Sequence, residues 1–280
     1  ISGTITVTPT ANACPGTPAS FTITVNPSPN VTVPANVALC TGASVPALNF
    51  SSTTSGTSFV WSNSNASIGL AANGTGNIAS FTATNNGTAP VVSTITVTPS
   101  ANSCSGTPAT FTITVNPLPT LNFPTLADIC INAPAITLSS ASPAGGLYSG
   151  TGVAGGNFNP MTSGAGTFVI TYSYTDLNGC SNLTTQNITV HPQPTVSVTP
   201  VAPEICLGRS VVLTANGAST YAWDPAATLN APTGTSVTAT PQATTTYVVT
   251  GTANGCTNSA SVTVTVNTTI PITVTPTDVT

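Results

Sequence analysis

The chain has 280 residues, 40% of them apolar, yet it carries one Lys or Arg, five Asp or Glu and one His, for a formal net charge of −4 and a pI near 4.1. A charged fraction of 2%, against about 25% in an ordinary soluble domain, argues against a typical cytosolic enzyme, and a single cation leaves no basic surface for nucleic acid or for anionic lipid. The mean hydropathy of +0.31 comes from Val, Ile and Ala alternating with Thr rather than from an apolar run long enough to span a bilayer, so membrane insertion is not expected.

The first predicted elements lie in residues 5–29, ITVTPTANACPGTPASFTITVNPSP, and the same text returns at 95–119 as ITVTPSANSCSGTPATFTITVNPLP, with five of 25 positions changed. Weaker copies of this unit end occur at 174–192 and 250–267, and matching unit starts are NVTVP (30–34), TLNFP (120–124), TVSVTP (195–200) and PITVTP (271–276). Measured from Val31 to Leu121, Val196 and Ile272, the spacings are 90, 75 and 76 residues. An internal period of this kind signals a tandem array. It predicts whole domains at 27–116, 117–191 and 192–267. Residues 1–26 read as the last part of one further domain and residues 268–280 as the first strand of another, as in a window on a longer array. The links Asn26-Pro27, Asn116-Pro117 and His191-Pro192 carry a strand-stopping proline, and Asn267-Thr268 does not. Short links containing proline favour a semi-rigid string.

Within 192–267 the predicted strands are Thr195–Thr199, Ser210–Ala215, Thr220–Trp223, Ser236–Thr240, Thr245–Thr252 and Ser259–Val266, each alternating apolar residues with Thr or Ser. Asn216-Gly217, Asp224-Pro225, Pro232-Thr233-Gly234 and Asn254-Gly255 supply turns between them. No segment sustains a helical period. The fold class is therefore all-β, as tandem immunoglobulin-like β-sandwich domains arranged as beads on a string.

The seven cysteines are Cys14, Cys40, Cys104, Cys130, Cys180, Cys206 and Cys256. Assigning one early and one late cysteine to each domain predicts Cys40 with Cys104, Cys130 with Cys180 and Cys206 with Cys256, and leaves Cys14 unpaired with its partner upstream. Loops of this size are worth roughly 4 kcal/mol each on the chain-entropy account. Disulfides imply an oxidising, extracellular or cell-surface setting; the alternative is a set of free buried thiols. Zinc is disfavoured, because no C-x-x-C pair occurs and the one histidine lies on a link.

Three stretches carry a family resemblance: VTPxxNxCxGTPxxFTITVNPxP, then GGLYSGTGVAGGNFNP (145–160) with GAGTFVITYSYTDLNGC (164–180), then YAWDPAATLN with VTATPQATTTYVVT. They resemble the immunoglobulin-like and PKD-like repeats of giant secreted bacterial surface proteins, of the gliding-motility adhesin type carried by type IX secretion, over essentially the whole chain. The resemblance implies a stalk or surface filament that presents other domains. Where PKD domains carry a WDFGDG-like motif, this chain has Trp61-Ser62-Asn63-Ser64 and Trp223-Asp224-Pro225-Ala226, so the likeness concerns architecture.

Trp61, Tyr148 and Trp223 fall on the third strand of their units, where a sandwich keeps a core aromatic; the other reading is a sugar-stacking platform, with the loops 62–77 and 144–158 as glycan contacts. Asp128, Asp176, Glu204, Asp224 and Asp278 supply about one acid per unit, too few for the six to eight oxygens of a calcium site, and Asp176 to Gly179 reads as a hairpin turn. No metal or cofactor is expected. His191 stands in a link without a plausible Ser and Asp pair, and Gly150-Thr151-Gly152 and Gly155-Gly156 lack the helix and Lys of a phosphate loop, so no catalytic residue is assigned. Arg209 reads as a solvated residue. The nearly uncharged Thr/Ser surface lacks the repulsion and the edge lysines that keep β-proteins apart, which points to self-association into filaments or with neighbouring repeats. Without Lys, isopeptide cross-links are impossible and disulfides are the available covalent ties. The expected function is a non-catalytic structural segment of an extracellular stalk or filament-forming adhesin, with a glycan-binding module or a spacer array of a secreted hydrolase as the alternatives.

Overall fold

Alternating Thr and β-branched residues place one apolar side chain on the same face every second position, and the strand ladders follow that pattern. A computed structural model describes residues 1–268; residues 269–280, which hold most of the expected final strand and Asp278, lie outside the described residues. The chain divides into two compact units, Ile1–Leu121 with Ser173–Leu183, and Asn122–Tyr172 with the chain from Thr184 onward.

In the first unit, strands β1 (Ser2–Val7) and β2 (Ala19–Thr24) form an antiparallel hairpin. Next come β3 (Val37–Cys40), β4 (Ser58–Asn63), β5 (Val91–Ala101) and β6 (Ala109–Asn116). They make a sheet in the order β3-β6-β5-β4, extended by Asn73–Thr75 at its far edge. β3 runs parallel to β6, and the other neighbours are antiparallel. The opposing layer is the short pair Ser44–Val45 with Phe81–Thr82, continued by a bridge between Leu48 and Ile78. Phe50, Trp61, Ile68, Ile95, Phe111 and Ile113 fill the space between the layers.

Further along the chain, β7 (Ile129–Cys130) again lies parallel to a long strand, β9 (Ser181–His191), whose antiparallel neighbour is β8 (Gly166–Thr175); most of β8 and β9 belongs to the second unit, and their hairpin end, Ser173–Leu183, to the first. The last repeat is the most regular. Its strands are β10 (Glu204–Cys206), β11 (Val211–Asn216), β12 (Thr220–Asp224), β13 (Ser236–Ala239), β14 (Thr245–Ala253) and β15 (Cys256–Asn267). One sheet has the order β10-β15-β14-β12; the other is Ser197–Thr199, β11 and β13. Leu213, Trp223, Tyr247 and Val264 are buried between them. Two facing sheets, with a short strand laid parallel on the final strand, form the immunoglobulin-like sandwich. The chain is all-β in tandem units of this kind. Six strands of the last repeat follow the alternation in the sequence; Glu204–Cys206 is the one the alternation does not announce.

Among the described residues no helix is long and apolar enough to cross a membrane.

Candidate functional site

Each sandwich ends its sheet in the same way around an early cysteine. Cys40, Cys130 and Cys206 pair in register with Asn116, His191 and Asn267, the last residues of the neighbouring long strands. The residue after each cysteine donates its N–H to that partner's carbonyl: Thr41 to Asn116, Ile131 to His191, Leu207 to Asn267, at 2.8–3.0 Å. The residue three positions on closes a turn onto the cysteine's own carbonyl: Ala43, Ala133 and Arg209, at 3.0–3.1 Å. Three early cysteines thus sit in one hydrogen-bonded cradle.

The late cysteines sit at hairpin tips. Cys14, Cys104 and Cys256 pair in register with Ala11, Ala101 and Ala253 across two-residue turns. Both turn residues take positive φ in each case, at Asn12-Ala13, Asn102-Ser103 and Asn254-Gly255, the backbone that joins tightly twisted strands. Cys180 closes the Asp176 turn instead, where the Asp176 carboxylate accepts from the N–H groups of Asn178 and Cys180 at 2.9 and 2.8 Å.

The disulfides formed are Cys40–Cys180 and Cys130–Cys256, and Cys14, Cys104 and Cys206 are free thiols. This corrects the expected pairing of Cys40 with Cys104, Cys130 with Cys180 and Cys206 with Cys256, and removes Cys104 and Cys206 from the bonded set. The reason lies in strand length. Cys206 is in register with Asn267, the last residue of β15, while Cys256 is the first residue of the same strand. Eleven residues of strand put the two about 36 Å apart, and a disulfide needs Cα atoms within about 7 Å. The early cysteine of one repeat reaches instead the late cysteine of the following repeat, and the observed Cα separations are 5.5 and 5.6 Å.

The contacts flanking these tips also recur. Asn182 and Asn258, each two residues after a bonded late cysteine, donate to the carbonyls of Pro119 and Pro194 at 3.0 Å. At the equivalent place Gly106 lies so close to the Pro29 carbonyl that a Cβ would meet its oxygen at 1.8 Å. The second proline of each link is thus the seat of the next hairpin tip.

The β1–β2 hairpin stands apart. Its sequence nearly repeats that of β5 and β6, with Ile5 opposite Phe21 as Ile95 is opposite Phe111. Yet Ile5, Val7, Phe21, Ile23 and Val25 are 43–63% exposed, while Ile95, Val97, Phe111, Ile113 and Val115 are 0–3% exposed. One text makes a core face in one place and an open apolar face in the other.

Trp61 and Trp223 are buried; the Trp223 indole donates to the Gly234 carbonyl at 2.9 Å, and the Trp61 indole nitrogen has no partner. Tyr148 is half-buried, its hydroxyl accepting from the Ala141 N–H, and it leans on Phe123 and Tyr172. The fully buried tyrosine of this repeat is Tyr172, which alternation alone did not single out. The loops 62–77 and 144–158 expose no aromatic side chain, since Tyr148 is half-buried and Phe158 is in the core.

His191 contacts Asp128 at 3.0 Å beside the Cys130 cradle. Glu204 accepts from the Asn267 side chain, and the Asp224 and Arg209 side chains are exposed. Gly150, Gly152, Gly155 and Gly156 all have positive φ in loops. Among the described residues, no three His, Cys, Asp or Glu side chains gather as a metal site.

No family model and no curated protein matches the sequence. Solved structures similar to the chain include fragments of several domains. The titin I-band fragment I67-I69 is 11% identical, with 87% of this chain and 100% of that one covered at a TM-score of 0.41. The Drosophila OTK extracellular domains 3-5 are 15% identical, with 84% and 95% covered at 0.31. Mouse cadherin-23 EC22-24 is 10% identical, with 87% and 100% covered at 0.32.

Proposed function

We infer that this chain is a non-catalytic structural segment of an extracellular or cell-surface stalk or filament, of the bacterial surface-adhesin type that its repeats resemble, built to carry load along its length. Its domains run 27–116, 117–191 and 192–267, and residues 1–26 are the closing hairpin of a further repeat, a reading supported by the open face of β1–β2. The observation that carries the function is the pairing of Cys40 with Cys180 and of Cys130 with Cys256. Each bond leaves one repeat and closes on the next, so neighbouring repeats are tied covalently twice, by the link and by the sulfur bridge. Disulfides persist in oxidising compartments, and a surface nearly free of charge permits close lateral or end-to-end packing.

Single-molecule stretching tests the reading. With the bridges intact, the shortest covalent route from Cys40 to Cys256 is through Cys180, 76 residues, in place of the 216 along the chain. At ~3.4 Å per extended residue, that stretch reaches about 260 Å oxidised and about 730 Å reduced. Equal lengths with and without reductant would overturn the load-bearing role.

A further inference from the structure

We propose that the outer face of the last repeat holds a binding site for a neutral oligosaccharide, in a pocket of about 510 Å³ floored by Ala222 and bordered by threonine hydroxyls. Its volume falls within the ~300–1,000 Å³ of small-molecule sites. Alternation along β12 and β14 sends Tyr221, Trp223 and Val249 into the core and leaves Thr220, Ala222 and Thr250 exposed on the other face, with Thr252 half-buried beside them. Register lines these side chains up across the strands, Thr220 opposite Thr252 and Ala222 opposite Thr250. On the other edge of β12, Thr233 bridges Ala222. The methyl group of Ala222 therefore lies low in a row between two threonines, with Thr235 completing the border.

The pocket is preformed on the side that a loop supplies. The Gly234 N–H donates to the Tyr221 carbonyl at 3.2 Å, the Trp223 N–H to the Pro232 carbonyl at 2.8 Å, and the Trp223 indole, from the core, to the Gly234 carbonyl at 2.9 Å. Its hydroxyls are also free. Elsewhere on outward faces such groups bond each other across the ladder, as Thr246 does with Thr263 at 2.8 Å, Thr214 with Ser236 at 3.0 Å and Thr6 with Ser20 at 2.8 Å. Among the described residues, the side chains of Thr220, Thr233, Thr235, Thr250 and Thr252 have no such partner.

The chemistry of the border selects the ligand. A threonine hydroxyl both donates and accepts, so this set matches a molecule whose own surface is hydroxyls of mixed donor and acceptor character, which a sugar chain presents along its length. No cation lines the pocket, so an anionic ligand finds no counter-charge there. The nearest ionised group on β12 is Asp224, exposed on the same face one row beyond Ala222, and it repels anions further. Water leaving the concave floor over Ala222 gives up no hydrogen bond to that methyl group, so its displacement favours binding. The site adds recognition to the structural role and does not depend on it.

The full chain, with its two bridges intact and its Ala, Thr and Val methyl groups labelled, is titrated with cellotriose, maltotriose and mannotriose and followed by methyl NMR. The expected result is a saturable shift with at least one of them, in the millimolar range, centred on Ala222, Thr233 and Thr250. The isosteric double variant T220V/T250V should weaken it by about tenfold or more, since two hydroxyl contacts of ordinary strength are lost, and A222L, which fills the floor, should abolish it. Unmoved resonances of the buried Val237 and Val262 show that both variants remain folded. T246V/T263V, which removes a hydroxyl pair on the same face outside the pocket, should leave the affinity unchanged, and trigalacturonic acid should not bind. The absence of a saturable shift with all three sugars, shifts centred away from Ala222, equal losses in the two double variants, or trigalacturonic acid binding as tightly as the neutral sugars overturns the proposal.

Discussion

Phe21 and Phe111 occupy the same position in two nearly identical hairpins, one 54% and the other 3% exposed, so the pair forms an internal control for what burial contributes. Phe111 packs beside Phe50, with ring centroids 6.3 Å apart, in a core with Trp61 and Ile68. Truncating it to alanine removes about 100 Å² more buried apolar surface than truncating Phe21, worth about 2.5 kcal/mol at ~25 cal/mol/Å². The cavity left behind raises the total to about 3–5 kcal/mol. Phe21→Ala loses a share of one cross-strand pair with Ile5, under about 1 kcal/mol. Hydrogen exchange of peptides covering 91–116 provides the assay. At about 1.4 kcal/mol per tenfold, F111A should speed exchange of the slowest amides there by roughly a thousandfold, while F21A should leave those peptides unchanged and alter 1–25 by less than about tenfold. Equal effects at the two positions would refute the claim that one face is core and the other open.

The remaining outcomes follow from single contacts. Gly74→Ala puts a Cβ about 2.2 Å from the Trp61 ring, in a place where the neighbour is packed aromatic carbon, and should cost about 2–4 kcal/mol in urea unfolding followed by Trp61 fluorescence; Gly3→Ala, with nothing within 4 Å, should stay within about 0.5 kcal/mol. Asp176→Ala removes the acceptor for two turn N–H groups next to the Cys40–Cys180 bond and should lower stability by about 1–2 kcal/mol, read as a drop in thermal midpoint. Trypsin has one site, after Arg209, so cleaved C206S should run as one band without reductant and two with it, because Cys130 holds Cys256; two bands without reductant would restore the within-repeat pairing.

The strands were legible because their cue is local: Thr245–Thr252 alternates on the page and Thr245–Ala253 alternates in space. Glu204–Cys206 was not, because three residues carry no period and the strand exists only through its parallel ladder to Thr265–Asn267, some 60 residues away. The cysteine pairing failed for a related reason. Spacing groups Cys206 with Cys256, yet Cys206 lies in register with the last residue of the long strand that Cys256 begins, so the two sit at opposite ends of the sandwich. The length of Cys256–Asn267 excludes the bond only once the ladder from Cys206 to Asn267 is known, and that ladder has no local cue. Residues 5–25 and 95–115 carry the same apolar residues at the positions that face the core, Ile5, Val7, Phe21, Ile23 and Val25 against Ile95, Val97, Phe111, Ile113 and Val115; what buries one face and not the other is the chain packed over it.

The two bridges enclose overlapping stretches, 40–180 and 130–256, rather than successive ones. A single break of the backbone anywhere between Cys40 and Cys256 therefore leaves the two ends of the segment covalently joined. Successive within-repeat bridges would leave the links near Pro117 and Pro192 as points where one cut parts the molecule. Overlap removes those points, so damage by a protease must strike the segment at least twice before it can come apart.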